Sequence, residues 1–413
     1  MASARAFRQP FSAAKSAATS GPSSPSSPSS MKSSRWTMRV SGIPPAKCRR
    51  MPHKSMAHSL EPCRRRLRVR RDGASLVETR GRLGVLKAVL GVLFAVTLAG
   101  AANAASKLET IELTSKLVPS PVKVAVLLPD GYQPSQKLPL ILMLHGGGGD
   151  EGFLTQMRPI VDAAWAANEV APAVVVTPNV QRSLYMDYKD GSQRWQTFLV
   201  TEMIPELRRR YGLSAERSKT VVTGISMGGL GSLRLGFDHP QVFGGLAALE
   251  AGIEPALSFD DVKMRNRFQR NDAFFKSIFG DPVDGELWKR SNPANMVIAN
   301  REAILASKLA IYIEVGDLDM FHLDEGVEFL HRVMWDHGVP HEYRLVRGAD
   351  HLGRTMQPRM RDALKFLDRE VLRPGPPDDS FADRKAAIDR LRRSMGVPDG
   401  EPRPPFPSTS PAR

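Results

Sequence analysis

The chain contains almost no cysteine, and this excludes several kinds of chemistry from most of its length. Only two of the 413 residues are cysteines, Cys48 and Cys63, and both lie before residue 88. The rest of the chain therefore has no thiol nucleophile, no cysteine–metal site and no disulfide. A chain of this length can bury a core that needs no disulfide to be stable.

The sequence also lacks any excess of basic charge beyond its first 87 residues. The formal net charge of +15 by itself suggests nucleic acid or an acidic surface as a partner. However, residues 1–87 hold 19 Lys/Arg and 3 Asp/Glu, whereas the rest of the chain holds 39 basic and 40 acidic residues. A nucleic-acid-binding protein needs basic residues on its folded surface, so we expect no nucleic-acid partner.

Residues 1–87 have little apolar periodicity and are rich in Ser, Pro, Ala and Arg. This composition cannot bury enough apolar surface to fold, so we expect a disordered basic leader. The arginines clustered at 64–71 are typical either of a nucleic-acid patch or of the charged region before a membrane-directed segment. The apolar residues that follow them favour the second interpretation.

The apolar stretch at residues 88–100 is shorter than the roughly 20 residues of a membrane-spanning helix. It is followed at 102–104 by Ala-Asn-Ala, the small-x-small pattern of a signal cleavage site. We therefore expect 88–104 to be a secretory signal and the protein to be periplasmic or secreted, without lasting membrane contact after cleavage. An uncleaved signal anchor is the alternative. Because leaders usually span about 15–30 residues, Met51 or Met56 is a candidate for the true start.

From residue 106 onward, predicted strands and helices alternate. Strands are predicted at 122–128, 138–144, 173–177, 220–223, 245–249, 309–315 and 343–346, and helices at 160–168, 195–211, 227–237, 323–335 and 359–371. This alternation predicts a mostly parallel sheet with helices on both faces, in a catalytic domain at 106–372. Residues 255–300 interrupt this alternation, and we expect them to form a short cap over the sheet. Residues 373–413 form a Pro-rich tail with a brief helical run.

Residues 224–228 read Gly-Ile-Ser-Met-Gly, a G-x-S-x-G motif. In this motif the serine lies on a sharp turn between a strand and a helix, where the flanking side chains must be small. The glycines alone could mark an ordinary strand-to-helix turn. Here a predicted strand precedes the motif and a predicted helix follows it, which favours Ser226 as a nucleophile. The Met227 amide is then one donor to a developing oxyanion.

A serine nucleophile needs a base, and folds with this motif place serine, acid and histidine in that chain order. His351 follows the last predicted strand, whereas the other late histidines lie in or beside a helix or begin a strand. His351 is therefore the candidate base. The strand at 309–315 is followed by Asp317 and Asp319, and either aspartate could orient the imidazole.

Four glycines follow His145 at the end of a predicted buried strand. A backbone amide can approach a substrate oxygen only where no side chain intervenes. We therefore expect Gly147, or alternatively Gly146, to supply the second oxyanion donor. The loop lacks the glycine spacing and the Lys-Ser/Thr ending of phosphate-binding loops, which argues against a nucleotide site.

These motifs resemble the esterase family that includes esterase D (S-formylglutathione hydrolase), feruloyl esterases, siderophore esterases and mycolyltransferases. The matching stretches span about residues 120–370 and are LHGGG at 144–148, GISMGG at 224–229, HPQVF at 239–243, GDLD at 316–319 and His351. The resemblance implies the α/β-hydrolase fold and a serine carboxylic-ester hydrolase that forms an acyl-enzyme, without a metal or an organic cofactor. The Gly-x-x-Asp pattern of the family favours Asp319 over Asp317 as the acid.

One position departs from the family. Relatives often carry a small polar residue after the strand at 245–249, whereas this chain has Glu250. Glu250 could line the pocket and favour a polar or cationic substrate, or it could be a solvated or ion-paired carboxylate. Tyr185, in an aromatic and charged segment after a strand, is a second candidate for substrate contact.

The sequence leaves the reaction partner open. The expected substrate is a small-molecule ester or an ester from a cell wall or plant material. An acyltransferase acting on the same site, and a non-catalytic envelope protein of the same fold, are the alternatives. Nothing in the sequence predicts the oligomeric state.

Overall fold

The computed structural model describes residues 106–267, 270–376 and 379–397. The predicted leader and signal segment, and the end of the predicted tail, lie outside the described residues. Within those ranges, no helix is both long enough and apolar enough to cross a membrane.

Eight strands form a single sheet in the order β1-β2-β4-β3-β5-β6-β7-β8. The strands are β1 (Lys107–Leu113), β2 (Val122–Leu128), β3 (Leu140–Leu144), β4 (Val174–Pro178), β5 (Thr220–Ile225), β6 (Gly245–Leu249), β7 (Ala310–Gly316) and β8 (Glu342–Val346). β2 pairs antiparallel with β1 and β4, and every other pairing in the sheet is parallel. The predicted mostly parallel sheet is therefore present, with β1 as an additional edge strand that the sequence pattern did not indicate.

Helices cover both faces of this sheet. They are α1 (Phe153–Ala166), α2 (Trp195–Phe198), α3 (Ile204–Tyr211), α4 (Met227–Asp238), α5 (Asp272–Phe279), α6 (Gly285–Ser291), α7 (Pro293–Ala299), α8 (Arg301–Ser307), α9 (Leu323–Asp336), α10 (Met356–Leu367) and α11 (Asp379–Ser394). π-helical turns at Leu199–Met203 and Asp368–Leu372 follow α2 and α10, and 3₁₀ turns lie at Pro134–Gln136, Arg217–Lys219, Phe259–Asp261 and Met264–Arg267.

The central strands are buried on both faces, as their nearly continuous apolar sequences require. Every residue of β3, β4, β5 and β6 is buried. Apolar side chains of α1 and α10 form the core on one face, and those of α2 to α4, α7 and α9 form the core on the other. The short helices α5 to α7 occupy the segment predicted as a cap.

Parallel strands bring their carboxyl ends to one edge of a sheet, where ligand and catalytic sites collect in α/β proteins. The glycine loop follows β3, the G-x-S-x-G turn follows β5, the two aspartates follow β7 and His351 follows β8. The topology therefore places all the predicted catalytic segments at the same edge.

Candidate active site

Ser226 occupies the turn between β5 and α4. Its backbone has φ 59° and ψ −116°, a region that non-glycine residues rarely adopt and that functional sites often contain. The turn is held by hydrogen bonds from the Ser226 amide to the Leu249 carbonyl at 2.9 Å and from the Leu230 amide to the Ser226 carbonyl at 3.0 Å. The serine is half-buried and lines a cavity.

The outer glycines of the motif are required by close backbone approach. A Cβ on Gly228 would lie 2.2 Å from the Leu144 carbonyl oxygen, and one on Gly224 would lie 2.6 Å from the carbonyl carbon of Gly228. Both distances are far inside van der Waals contact, so the start of α4 packs backbone against backbone on β3 and β5. This packing fixes where the serine emerges from the sheet.

His351 and Asp319 form a buried pair on the loops after β8 and β7. The Nδ1 of His351 lies 2.7 Å from the Oδ2 of Asp319, and the two residues are 3% and 5% exposed. The Phe321 amide donates to the other carboxylate oxygen at 2.7 Å. Asp317 is instead hydrogen-bonded to the Gly348 amide at 2.6 Å. Of the two candidate acids, the structure pairs Asp319 with the histidine.

The charge of Asp319 is stabilised in place. Burial raises the pKa of its carboxyl group, but the neighbouring side chains of His351 and Glu250 outweigh that effect and lower the pKa to about 2. The ring of Phe321 packs edge-on against His351, with 4.6 Å between the centroids. An ionised carboxylate on Nδ1 leaves Nε2 of the imidazole as the basic nitrogen.

The glycine loop lies beside the serine. Gly146, Gly147, Met227 and Ser226 line the same cavity, and a Cβ on Gly146 would lie 3.6 Å from the Cβ of Ser226. His145 holds the loop, because its Nδ1 lies 2.8 Å from the Gly146 carbonyl oxygen and its Nε2 accepts from a backbone amide at 3.3 Å. Burial lowers the pKa of His145, which suits the neutral tautomer that these two bonds require.

The cavity has a volume of about 690 Å³, within the usual range for small-molecule sites. Its apolar wall is formed by Phe153, Leu184, Ile225, Leu230, Phe321, Leu323, Leu352 and Met356. Two arginines also line the cavity. The guanidinium of Arg182 lies 4.6 Å from the centroid of the Phe274 ring. Arg270 forms an ion pair with Glu254 at 2.7 Å. The site thus combines an apolar surface with a few charged groups.

The structure places the two predicted substrate contacts away from the cavity. Tyr185 and Glu250 are both fully buried, and neither lines the cavity. The Tyr185 hydroxyl donates to the His145 carbonyl at 3.0 Å, so this residue supports the glycine loop from beneath. The carboxyl group of Glu250 accepts a hydrogen bond from the Arg359 guanidinium instead of facing the cavity.

Two arginines near the site were not found from the sequence. Arg234, on α4, is buried and donates to the carbonyls of Leu184 and Ser291, each at 2.7 Å. It thereby holds a segment in which Leu184 and Tyr185 both adopt left-handed backbone angles. Arg359, on α10, is buried behind the histidine–aspartate pair. Arg234 is the only basic residue of α4, which was its one sequence signal. α10 also carries Arg361 and Lys365, so its sequence does not single out Arg359.

Comparison with known proteins agrees with this architecture. A model of the Esterase family, described as "Putative esterase", matches residues 115–362, more than half of the chain. An esterase of Mycobacterium tuberculosis is 30% identical over 129 residues, covering 27% of this chain and 25% of that protein. An acetyl esterase of Caldicellulosiruptor saccharolyticus is 27% identical over 148 residues, covering 36% of this chain and 54% of that protein. The chain therefore spans between a quarter and about half of the length of these relatives.

Solved structures match over a larger share of their length. A ferulic acid esterase superposes with a TM-score of 0.53 at 25% identity, covering 65% of this chain and 100% of that one. The fluorophosphonate-binding serine hydrolase F of Staphylococcus aureus gives a TM-score of 0.51 at 17% identity, with coverages of 64% and 98%. These similarities and the strand order show the α/β-hydrolase fold. The chain belongs to the Esterase family of that fold.

Proposed function

We propose that this protein hydrolyses carboxylic esters through an acyl-enzyme on Ser226. The observation that carries the proposal is the buried His351–Asp319 hydrogen bond of 2.7 Å beside a cavity that Ser226 and His351 both line. A serine with an oriented imidazole and adjacent backbone amides has the composition of an acyl-transfer site. Family membership supports the same reaction class.

In the proposed mechanism, the Ser226 hydroxyl attacks the ester carbonyl carbon while Nε2 of His351 takes the hydroxyl proton. The carbonyl oxygen becomes an oxyanion and accepts hydrogen bonds from the Met227 amide and from Gly147, or alternatively Gly146. The intermediate collapses as His351 returns the proton to the departing alcohol. Water then attacks the acyl-enzyme by the same steps in reverse order, releasing the acid.

For the acyl group, we propose an aromatic carboxylic acid, as in esters of plant origin. The cavity wall carries two phenylalanines, Phe153 and Phe321, and several aliphatic side chains, which suit a flat apolar ring. The similarity to a ferulic acid esterase, whose whole length the chain covers, supports this choice. The acetyl esterase among the relatives supports a short acyl group as the rival substrate.

An ester panel tests both parts of the proposal. The full chain is assayed with ethyl esters of hydroxycinnamic acids and with acetyl and butyryl esters of the same alcohol. We expect kcat/KM to be at least about tenfold higher for the aromatic acids, since a ring-sized apolar contact contributes more than one kcal/mol. A preference for acetyl esters would overturn the aromatic assignment, and turnover of none of the esters would overturn the hydrolase.

A competing alcohol separates hydrolysis from acyl transfer on the same site. When glycerol or a sugar is added, a hydrolase releases free acid as its main product, whereas a transferase forms the new ester. Formation of mainly the new ester in dilute alcohol would favour the transferase alternative. A folded chain that turns over no ester and forms no acyl-enzyme would favour the non-catalytic envelope protein.

We also propose that the protein is exported to the periplasm or secreted, on the strength of the apolar stretch and the Ala-Asn-Ala pattern at 88–104. An uncleaved anchor is the alternative. N-terminal sequencing of the protein recovered outside the cytoplasm tests this. We expect the mature chain to begin directly after residue 104, and a mature start upstream of residue 88 would contradict the proposal.

A further inference from the structure

Glu250 lies directly behind the histidine–aspartate pair, at the end of β6. It is fully buried and its backbone adopts φ 48°. Its Oε1 accepts a hydrogen bond from the Gly316 amide at 2.9 Å and another from Nη2 of Arg359. The same guanidinium donates its Nε–H to Glu314 at 2.6 Å. One arginine on α10 is therefore shared between two buried carboxyl groups.

The second oxygen of Glu250 has no donor among the described residues, although it is buried. A carboxyl oxygen of Glu250, a carboxyl oxygen of Asp319 and a ring nitrogen of His351 all lie within 4.8 Å of one another. Two ionised carboxylates this close in a buried site repel each other, and an unpaired buried acceptor has lost its hydrogen bonds to water without replacement. A proton on Glu250 removes both costs, because the carboxyl group then becomes a donor.

The charges around Glu250 allow this assignment. The facing groups are Arg359 from α10, Glu314 from β7, Asp319 from the loop after β7 and His351 from the loop after β8. Arg359 has one counter-ion if Glu314 carries the charge and Glu250 is neutral. With both glutamates and Asp319 ionised, three buried negative charges would face one arginine.

We propose that Glu250 is a protonated positioning residue, which donates a hydrogen bond to Asp319 and so holds that carboxylate against His351. The inference rests on the proposed role of Ser226 and extends its triad by one residue. Burial and, next, the neighbouring Asp319 raise the pKa of Glu250 to about 9, against the opposing effect of Arg359. At neutral pH the two acids then share one proton, and Asp319 keeps its negative charge and its orientation.

Infrared difference spectroscopy tests the protonation state without any use of activity. The wild-type protein is compared with Glu250→Gln at neutral pH in the carbonyl-stretching region. We expect the wild type to show the band of a protonated carboxylic acid that the variant lacks. A difference spectrum containing only carboxylate bands would overturn the proposal. This result stands whether or not Ser226 is the nucleophile, so the failure of one proposal is distinguishable from that of the other.

The pH–rate profile tests the positioning role. Glu250→Gln keeps a neutral donor of the same shape, so the midpoint of the acid limb should stay within about 0.3 pH unit and kcat should fall less than tenfold. An ionised Glu250 would behave differently, because removing a charge within 5 Å of the imidazole would move that midpoint by about one unit or more. Such a shift would overturn the proposal.

Glu250→Leu removes the hydrogen-bond donor to Asp319 and should lower kcat about 100-fold with little change in KM. A native-like kcat in this variant would also overturn the proposal. If that variant does not fold, Glu250→Gln and its matched control Glu314→Gln remain decisive. Both glutamates bond Arg359, but our account makes only Glu314 its counter-ion. Thermal melting should therefore drop by several degrees in Glu314→Gln and much less in Glu250→Gln. The reverse order would contradict a neutral Glu250.

Discussion

Replacing Asp319 with Asn should abolish most of the activity by reversing the hydrogen bonding of the imidazole. Both oxygens of Asp319 accept hydrogen bonds, one from His351 at 2.7 Å and one from the Phe321 amide at 2.7 Å. The amide group of an asparagine must turn its NH₂ toward one of these donors. If the NH₂ faces His351, it stabilises the tautomer with the proton on Nε2, and the base is lost. If the NH₂ faces Phe321, it points at the backbone amide of that residue, and two hydrogen-bond donors face each other without an acceptor.

The expected magnitude follows from this geometry. In serine hydrolases with the same arrangement, the equivalent change lowers kcat about 10,000-fold while the geometry stays intact, which corresponds to about 5.4 kcal/mol in the activation free energy. We expect a loss of that order in Asp319→Asn, with KM changed less than threefold. The assay is steady-state ester hydrolysis, with thermal melting as a check on folding.

The chain offers a matched control two residues away. Asp317 is exposed and accepts a hydrogen bond from the Gly348 amide at 2.6 Å, which an asparagine oxygen can also accept. Asp317→Asn should therefore keep kcat within about threefold of the wild type. A larger loss in Asp317→Asn than in Asp319→Asn, or more than a tenth of native kcat in Asp319→Asn, would refute this reasoning.

Three further predictions concern the surroundings of the site. Gly228→Ala should lower the free energy of unfolding by at least about 3 kcal/mol, because its Cβ would lie 2.2 Å from a backbone oxygen. In Gly285→Ala the added Cβ meets open space, so the free energy of unfolding should stay close to that of the wild type. Equal melting temperatures for the two variants would contradict the packing argument. Tyr185→Phe removes the hydrogen bond from the tyrosine hydroxyl to the His145 carbonyl. It should lower kcat about fivefold, which corresponds to about 1 kcal/mol. An unchanged kcat in steady-state kinetics would show that this bond does not hold the glycine loop. The pKa of Asp319 is lowered to about 2, so its ionised carboxylate stabilises the folded state above pH 3.8, and this stabilisation is lost as the pH falls toward 2. In urea unfolding, the difference in the free energy of unfolding between the wild type and Asp319→Asn should therefore become smaller from pH 5 to pH 3. An increase in that difference would contradict the lowered pKa.

The positions of the proposed nucleophile and its partners could be predicted because they depend on local patterns and chain order. Ser226 lies between a strand and a helix that each carry their own sequence signal. His351 and Asp319 follow strands of a parallel sheet, and the topology brings such positions together. The choice of Asp319 over Asp317, however, rested only on a family pattern, because both aspartates directly follow the same predicted strand.

The residues that the structure places differently from the predictions are those whose surroundings depend on distant partners. Glu250 is buried because Arg359, 109 residues later, reaches it, and no local pattern contains that pairing. Tyr185 is buried because Gly231 on α4 leaves room for its ring, since a Cβ there would lie 2.5 Å from the ring. The edge strand β1 was missed because Thr110 interrupts its alternation of apolar and charged residues, and only one of its seven residues is buried.

The helix α1 begins at Phe153, seven residues before the predicted start. Pro159 lies inside it, and a proline usually marks the beginning of a helix rather than its interior. The predicted start, Ile160, directly follows this residue. The buried side chains Phe153, Leu154 and Met157 on the missed turns pack onto the sheet, which shows how tertiary packing overrides a local signal.

The central claim is that Ser226 is an activated nucleophile, and covalent labelling tests it most directly. The full chain is incubated with a fluorophosphonate, and the adduct is located by intact mass and peptide mapping. We predict a single adduct on Ser226, absent from Ser226→Ala and retained in the matched variant Ser218→Ala, whose serine is exposed and does not line the cavity. No adduct on the folded wild type, or an adduct that persists in Ser226→Ala, would contradict the account.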